Sequence, residues 1–176
     1  MTRTTALAAI GLFSLGALTA AAQQADAPKD WKRHAFPEDR FEIEFSGQFT
    51  TSAVKLDGAT LKKIKRSMQY IHSDGDLLFV VGAQENVDAV NFEGGSRSSF
   101  AALNCKQQKP EAEIAIEGGR GREFKGTECI EGQMRAEARY FEHGKWFYQV
   151  IAIFATDSRD EPAARRFLDS FKILAK

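Results

Sequence analysis

A chain of 176 residues, 43% of them hydrophobic and 27% charged, falls in the ordinary globular range and has room for about one domain, which argues against disorder and against a long coiled coil. Its formal charge is zero, so no global electrostatic pull toward nucleic acid or anionic lipid is expected, and such a partner would have to be held by a local patch.

The first residues have the three parts of a secretory leader. Met1-Thr2-Arg3-Thr4-Thr5 carries one positive charge, an apolar span runs from Ala6 to about Leu18, and small residues Ala20-Ala21-Ala22 follow. Gly11, Ser14, Gly16 and Thr19 interrupt the span, which falls short of the roughly 20 apolar residues of a membrane-spanning helix. Residues 1–22 are therefore expected to be removed, with cleavage after Ala22 preferred and Ala25 the alternative, and no membrane insertion is expected afterwards. The leader lacks Cys and twin arginines, which points away from a lipid-modified N-terminus and from folded export. A periplasmic or secreted location follows.

Residues 23–30, Gln-Gln-Ala-Asp-Ala-Pro-Lys-Asp, read as a flexible lead-in, and one domain is expected over 31–176. In Arg40-Phe41-Glu42-Ile43-Glu44-Phe45, strict alternation sets Phe41, Ile43 and Phe45 on one face of a half-buried strand ended by Ser46-Gly47. A second alternating strand is expected from Thr60 to His72. Ser73-Asp74-Gly75-Asp76 then makes a turn, and Leu77 to Val81 resumes as an apolar strand, so the two runs form a hairpin. Ser96 to Gln108 predicts a helix capped by Ser96 or Ser98, with Phe100 and Leu103 toward the core and Cys105 near its last turn.

Ala112 to Glu117 is a short strand candidate, and Gly118-Gly119-Arg120-Gly121 reads as a turn. Arg122 to Ile130, Gln133 to Phe141 and Lys145 to Ala155 then predict a meander. In its middle strand Arg135, Glu137 and Arg139 share what reads as a wet face. Lys145 to Ala155 is apolar on both alternating faces, which places it inside a sheet covered on both sides. Ala164, Phe167, Leu168 and Phe171 recur at helical spacing and make one apolar stripe, on a helix capped by Ser158 or Asp160. Strands, helix, strands, helix gives an α+β class: an antiparallel sheet with flanking helices.

At this point the chain resembles the PsbP-like fold family, which includes the extrinsic photosystem II protein, a Ran-binding transport factor and bacterial DcrB-type envelope proteins. The likeness is carried by Arg40-Phe41-Glu42-Ile43-Glu44-Phe45-Ser46-Gly47, by Gly144-Lys145-Trp146-Phe147-Tyr148-Gln149-Val150 and by Arg166-Phe167-Leu168-Asp169-Ser170-Phe171-Lys172-Ile173. Bacterial members tend to have Gly where Arg40 stands and Pro where Ser46 stands. The resemblance implies an α/β sandwich and a non-catalytic binding role, and it carries over no active-site residue.

The residues themselves offer little chemistry. His34, His72 and His143 are scattered without metal-ligand spacing and read as surface or loop histidines. No phosphate-binding glycine loop or nucleophile elbow occurs, so neither catalytic residues, metal nor cofactor is expected. Ser96 fits a helix cap better than a nucleophile, and Glu111 with Glu113 fits one face of a short strand. Arg120 and Arg122 on their glycine loop are candidates to grip a carboxylate or phosphate of a ligand or partner, against the plainer reading of solvated turn arginines. Lys62, Lys63, Lys65 and Arg66 could meet an acidic partner or simply form a wet strand face. The 14 Phe, with Trp31, Trp146 and three Tyr, fill a core or line a cavity.

The functional expectation is an exported binding module that contacts an envelope protein. The alternative is a carrier of a lipid or other apolar ligand in an aromatic-lined cavity, and the least favoured reading is an enzyme with dispersed catalytic residues. Cys105 and Cys129 are the only two cysteines and are expected to pair in an oxidising compartment, closing a loop of about 25 residues at a gain of about 3 kcal/mol, the alternative being two buried free thiols. N-terminal sequencing of the exported form should begin at Gln23, and thiol titration of it under denaturing, non-reducing conditions should find no free thiol. An uncleaved N-terminus or two reactive thiols would contradict the export reading.

Overall fold

The computed structural model describes residues 30–55, 58, 62–108 and 111–174; the expected leader, and all of the lead-in but Asp30, lie outside them. The order is β1 (Lys32–Phe36), a 3₁₀ turn (Pro37–Asp39), β2 (Phe41–Phe45), β3 (Thr50–Ala53), β4 (Ile64–Asp74), β5 (Leu77–Asn86) and α1 (Phe92–Ala101). It continues with β6 (Gln107–Gln108), β7 (Ala112–Ile116), β8 (Gly119–Cys129), β9 (Met134–His143), β10 (Trp146–Ala155), α2 (Glu161–Ser170) and β11 (Lys172–Ile173). A large antiparallel sheet runs β3-β4-β5-β10-β9-β8-β6, with β7 also on β8, and a small one runs β1-β2-β11.

β10 lies between β5 and β9, as its two apolar faces demand. On one face Tyr148, Val150, Ala152 and Phe154 meet α2 and the small sheet, where Phe41, Ile43 and Phe45 are fully buried. The α2 stripe of Ala164, Phe167 and Leu168 is buried there too, and Phe167 stacks on Phe79 with ring centroids 4.3 Å apart. On the other face Phe147, Ile151 and Ile153 join Phe124 and Tyr140 beneath Phe92 and Phe100 of α1. Each such ring contributes about 1.5–3 kcal/mol by leaving water. The result is the expected α+β sandwich, with a helix on each side of the large sheet.

The structure corrects the local reading in several places. α1 begins at Phe92, four residues before the expected start, with Asn91 as cap accepting a hydrogen bond from the Gly94 N–H at 3.2 Å. Ser96 is buried inside the helix, so it neither caps nor faces solvent. The turn before β8 is confined to Glu117-Gly118, where Gly118 takes φ +69°. Gly119 already belongs to the strand, and a Cβ there would sit 2.0 Å from the Glu142 carbonyl oxygen, so close strand approach, not turning, requires that glycine.

The row Arg135, Glu137, Arg139 is not a wet face. α2 lies across it, with Arg135–Glu161 at 3.0 Å and Arg139–Asp169 at 2.6 Å, while Glu137 is buried and reaches Lys125 at 3.1 Å. Burial alone would raise the Glu123 carboxyl, but Arg139 and Lys125 hold it below its usual range. Cys105 and Cys129 form a disulfide, S–S 2.04 Å, that ties the chain beyond α1 to the end of β8. Among the described residues no helix is long and apolar enough to cross a membrane.

Candidate functional site

The site is built from the short turn between β1 and β2. Pro37 pre-sets the turn, and the Asp39 side chain points into the body of the protein, only 1% exposed. Arg66 of β4 grips it in a fork, Nε to Oδ1 at 2.5 Å and Nη2 to Oδ2 at 3.1 Å. The Tyr70 hydroxyl donates to the same carboxylate. From β10 the Tyr148 hydroxyl donates to the Asp39 carbonyl at 3.2 Å and lies 3.4 Å from that of Arg40. The hydrogen bond to Asp39 raises the Arg66 pKa, and burial, then Asp39, raises that of Tyr70. Burial likewise raises Tyr148. Every donor around Asp39 thus stays protonated, and the turn is locked to the large sheet.

That lock sets the next residue. Arg40 adopts φ 57°, ψ 42°, a left-handed conformation that costs a residue with a Cβ about 1–2 kcal/mol. Its N–H donates to the Pro37 carbonyl at 3.3 Å and its carbonyl accepts from the Leu174 N–H at 2.9 Å. The guanidinium lies 5.8 Å from the Trp146 ring and has no ion pair or hydrogen bond among the described residues. It stands at an open groove of about 840 Å³, lined also by Lys65, Glu85, Glu117, Gly118, His143, Gly144, Lys145, Ile173 and Leu174. The β7–β8 and β9–β10 turns, the start of β4 and the end of β5 converge here. Lys65 pairs with Glu85 at 3.4 Å, and Lys145 donates to the Val87 carbonyl.

Arg120 and Arg122 lie on the opposite face, against α1. Arg122 is 9% exposed and holds Glu93 in a fork at 2.5 and 3.1 Å, with Glu111 also 3.1 Å away. Arg120 is half-exposed and pairs with Glu142 at 2.5 Å. Their guanidiniums lie 5.7 and 4.9 Å from the Phe92 ring. Arg122 beside Glu93 lowers that carboxyl's pKa. The two arginines therefore join the chain's own carboxylates, and a ligand or partner there would have to share them.

The remaining sequence candidates disperse. Lys63 lines a second groove of about 650 Å³ between α1 and the sheet, together with Gln84, Asn91, Ser98, Phe147 and Gln149. Glu111 pairs with Arg97 at 2.9 Å. Of the histidines expected at the surface, His72 is buried: its Nδ1 is 2.7 Å from the Gln48 carbonyl and its Nε2 3.0 Å from the Ser46 hydroxyl. This contact gives Ser46 a partner that proline could not supply. Among the described residues no three His, Cys, Asp or Glu side chains come together as a metal site.

Asp39 was not singled out from sequence; Arg40 stood out only as a residue where bacterial members of the resembled family tend to have Gly, a signal for positive φ, and Trp146 only as part of an apolar strand. Pro37-Glu38-Asp39 between two apolar stretches is a turn signal, but neither the Arg40 dihedral nor partners 27 and 31 residues away can be read from it. Arg66→Met should strand the buried Asp39 charge and lower stability by about 3 kcal/mol, the low end for a broken buried pair because Arg66 is partly exposed. Asp39→Asn, which removes the charge and keeps an acceptor, should cost about 1–2 kcal/mol. Urea denaturation checks both, and equal, negligible losses would contradict the lock.

Neither a protein-family model nor a curated protein sequence matches this chain. Among solved structures, the solution structure of PsbP from the cyanobacterium Synechocystis sp. PCC 6803 superposes with a TM-score of 0.56 at 12% identity, covering 90% of this chain and 98% of that one. A protein of unknown function from Pseudomonas aeruginosa gives a TM-score of 0.42 at 12% identity, covering 83% and 99%. The second match is too loose to add to the comparison, and at such identity the first concerns architecture alone. The two antiparallel sheets, the flanking helices and the cyanobacterial match together give this chain the PsbP-like fold.

Proposed function

We propose that the protein is an exported, non-catalytic binding module of the bacterial envelope or periplasm that works by protein–protein contact, and that the contact is made at the Trp146 groove. The observation that carries this reading is the contrast in how charge is used. Asp39, Glu93, Glu123 and Glu137 are each held by the chain's own cations, whereas the groove presents Arg40 without a counterion among the described residues. Open grooves rimmed by turns on a rigid sheet suit partner contact. The disulfide supports an oxidising compartment.

The aromatic side chains favour this reading over a carrier of apolar ligands. Phe41, Phe45, Phe79, Phe167 and Phe171 stack on one another or on their neighbours, which uses as packing the surface that a ligand would need. A photo-crosslinking amino acid placed at Glu117, exposed on the groove wall, should yield one discrete protein adduct in the envelope of expressing cells. The same probe at Ser52, on the exposed β3 edge, should not. No adduct, or the same adducts from both positions, would overturn the assignment.

A further inference from the structure

We infer that the Trp146 groove recognises a single carboxylate of its partner, carried on a segment with an apolar side chain beside it; this rests on the partner-contact reading above. Arg40 is the starting point. A side chain in the left-handed region is strained where glycine would not be, and such strain persists only where the surroundings impose it, most often at functional positions. Here the surroundings are explicit: the Asp39 lock on one side and the Leu174 N–H on the other. Together they hold a guanidinium with five donors at the groove, beside an aromatic ring and without an acceptor among the described residues. A planar guanidinium offers two parallel N–H groups, the geometry that matches a carboxylate.

The lining fixes the charge of the ligand group. Arg40, Lys65 and Lys145 face Glu85 and Glu117, and Lys65 is already paired with Glu85 at 3.4 Å. Apart from His143, the excess is one positive charge, which suits one carboxylate and disfavours a doubly charged phosphate brought close to two glutamates. Ile173 and Leu174, half-buried, add an apolar wall above the buried Trp146, so the group that binds best carries a hydrocarbon side chain next to its charge. Gly118 and Gly144, with φ +69° and +61°, add no side chain of their own to the rim.

The test uses N-acetyl-leucine as probe, N-acetyl-leucinamide as its uncharged counterpart, and inorganic phosphate. Titrated into the exported protein, N-acetyl-leucine should shift the amide NMR signals of Arg40, Gly118 and Gly144 saturably, and the other two should not. Arg40→Gly relieves the backbone strain, so its melting temperature should hold or rise while affinity for N-acetyl-leucine falls about tenfold or more. Equal binding by Arg40→Gly, by the amide or by phosphate overturns the inference. If the Glu117 probe still marks its partner in the Arg40→Gly background, the carboxylate assignment falls and the contact reading stands. If N-acetyl-leucine binds as expected but no partner is ever marked, the contact reading falls and the carboxylate pocket stands.

Discussion

One buried carboxylate joins the two sheets. Asp39 belongs to the turn of the small sheet, but its bonds go to Arg66 and Tyr70 of the large one, and Tyr148 adds a hydroxyl to the turn's backbone. A carboxylate this deep is tolerated only because its oxygens meet a cation and a hydroxyl. The apolar contacts around it, Phe41 on Tyr70 and Phe171 on Phe41, supply most of the attraction between layers. They are not directional, however, and would permit sliding. The charged hydrogen bonds set the register in which those rings meet and hold Arg40 beside Trp146.

The rest of the charge is arranged to the same end. On the α2 side, Arg135, Glu137 and Arg139 turn what would be a solvated row into a layer that fixes the helix on β9. On the α1 side, Arg120 and Arg122 bind Glu142 and Glu93, and the disulfide ties the chain that follows α1 to β8. The large sheet is thereby held from both faces. The groove at its end holds the Arg40 guanidinium with no ion pair among the described residues, which is the feature the proposed contact uses.

The parts of this fold that sequence made legible are those encoded within a few residues. The two-faced apolar run of β10 and the stripe Ala164, Phe167, Leu168 of α2 announce their periods locally, and both lie where their periods place them. β1 and β11 could not be read, since Lys32 to Phe36 and Lys172-Ile173 are strands only by pairing with β2. The start of α1 was obscured by Gly94-Gly95, poor helix formers that the helix nonetheless contains, with Gly95 close to the Phe147 ring. The site was the least legible part. Arg120 and Arg122 stood out for their glycine context, while Arg40 was marked only by standing where the resembled family tends to have Gly; its importance lies in a backbone angle and in residues more than 100 positions away.

Asp39 holds the small sheet in register and so positions Arg40. Native-state hydrogen exchange by NMR, comparing the protein with Asp39→Asn, tests it most directly. Exchange should accelerate at the Arg40 and Leu174 amides, which bond to Pro37 and Arg40, and along the β2–β11 ladder, while the β8–β9 amides stay unchanged. Unaltered exchange at Arg40 and Leu174, or equal acceleration across both sheets, would contradict it.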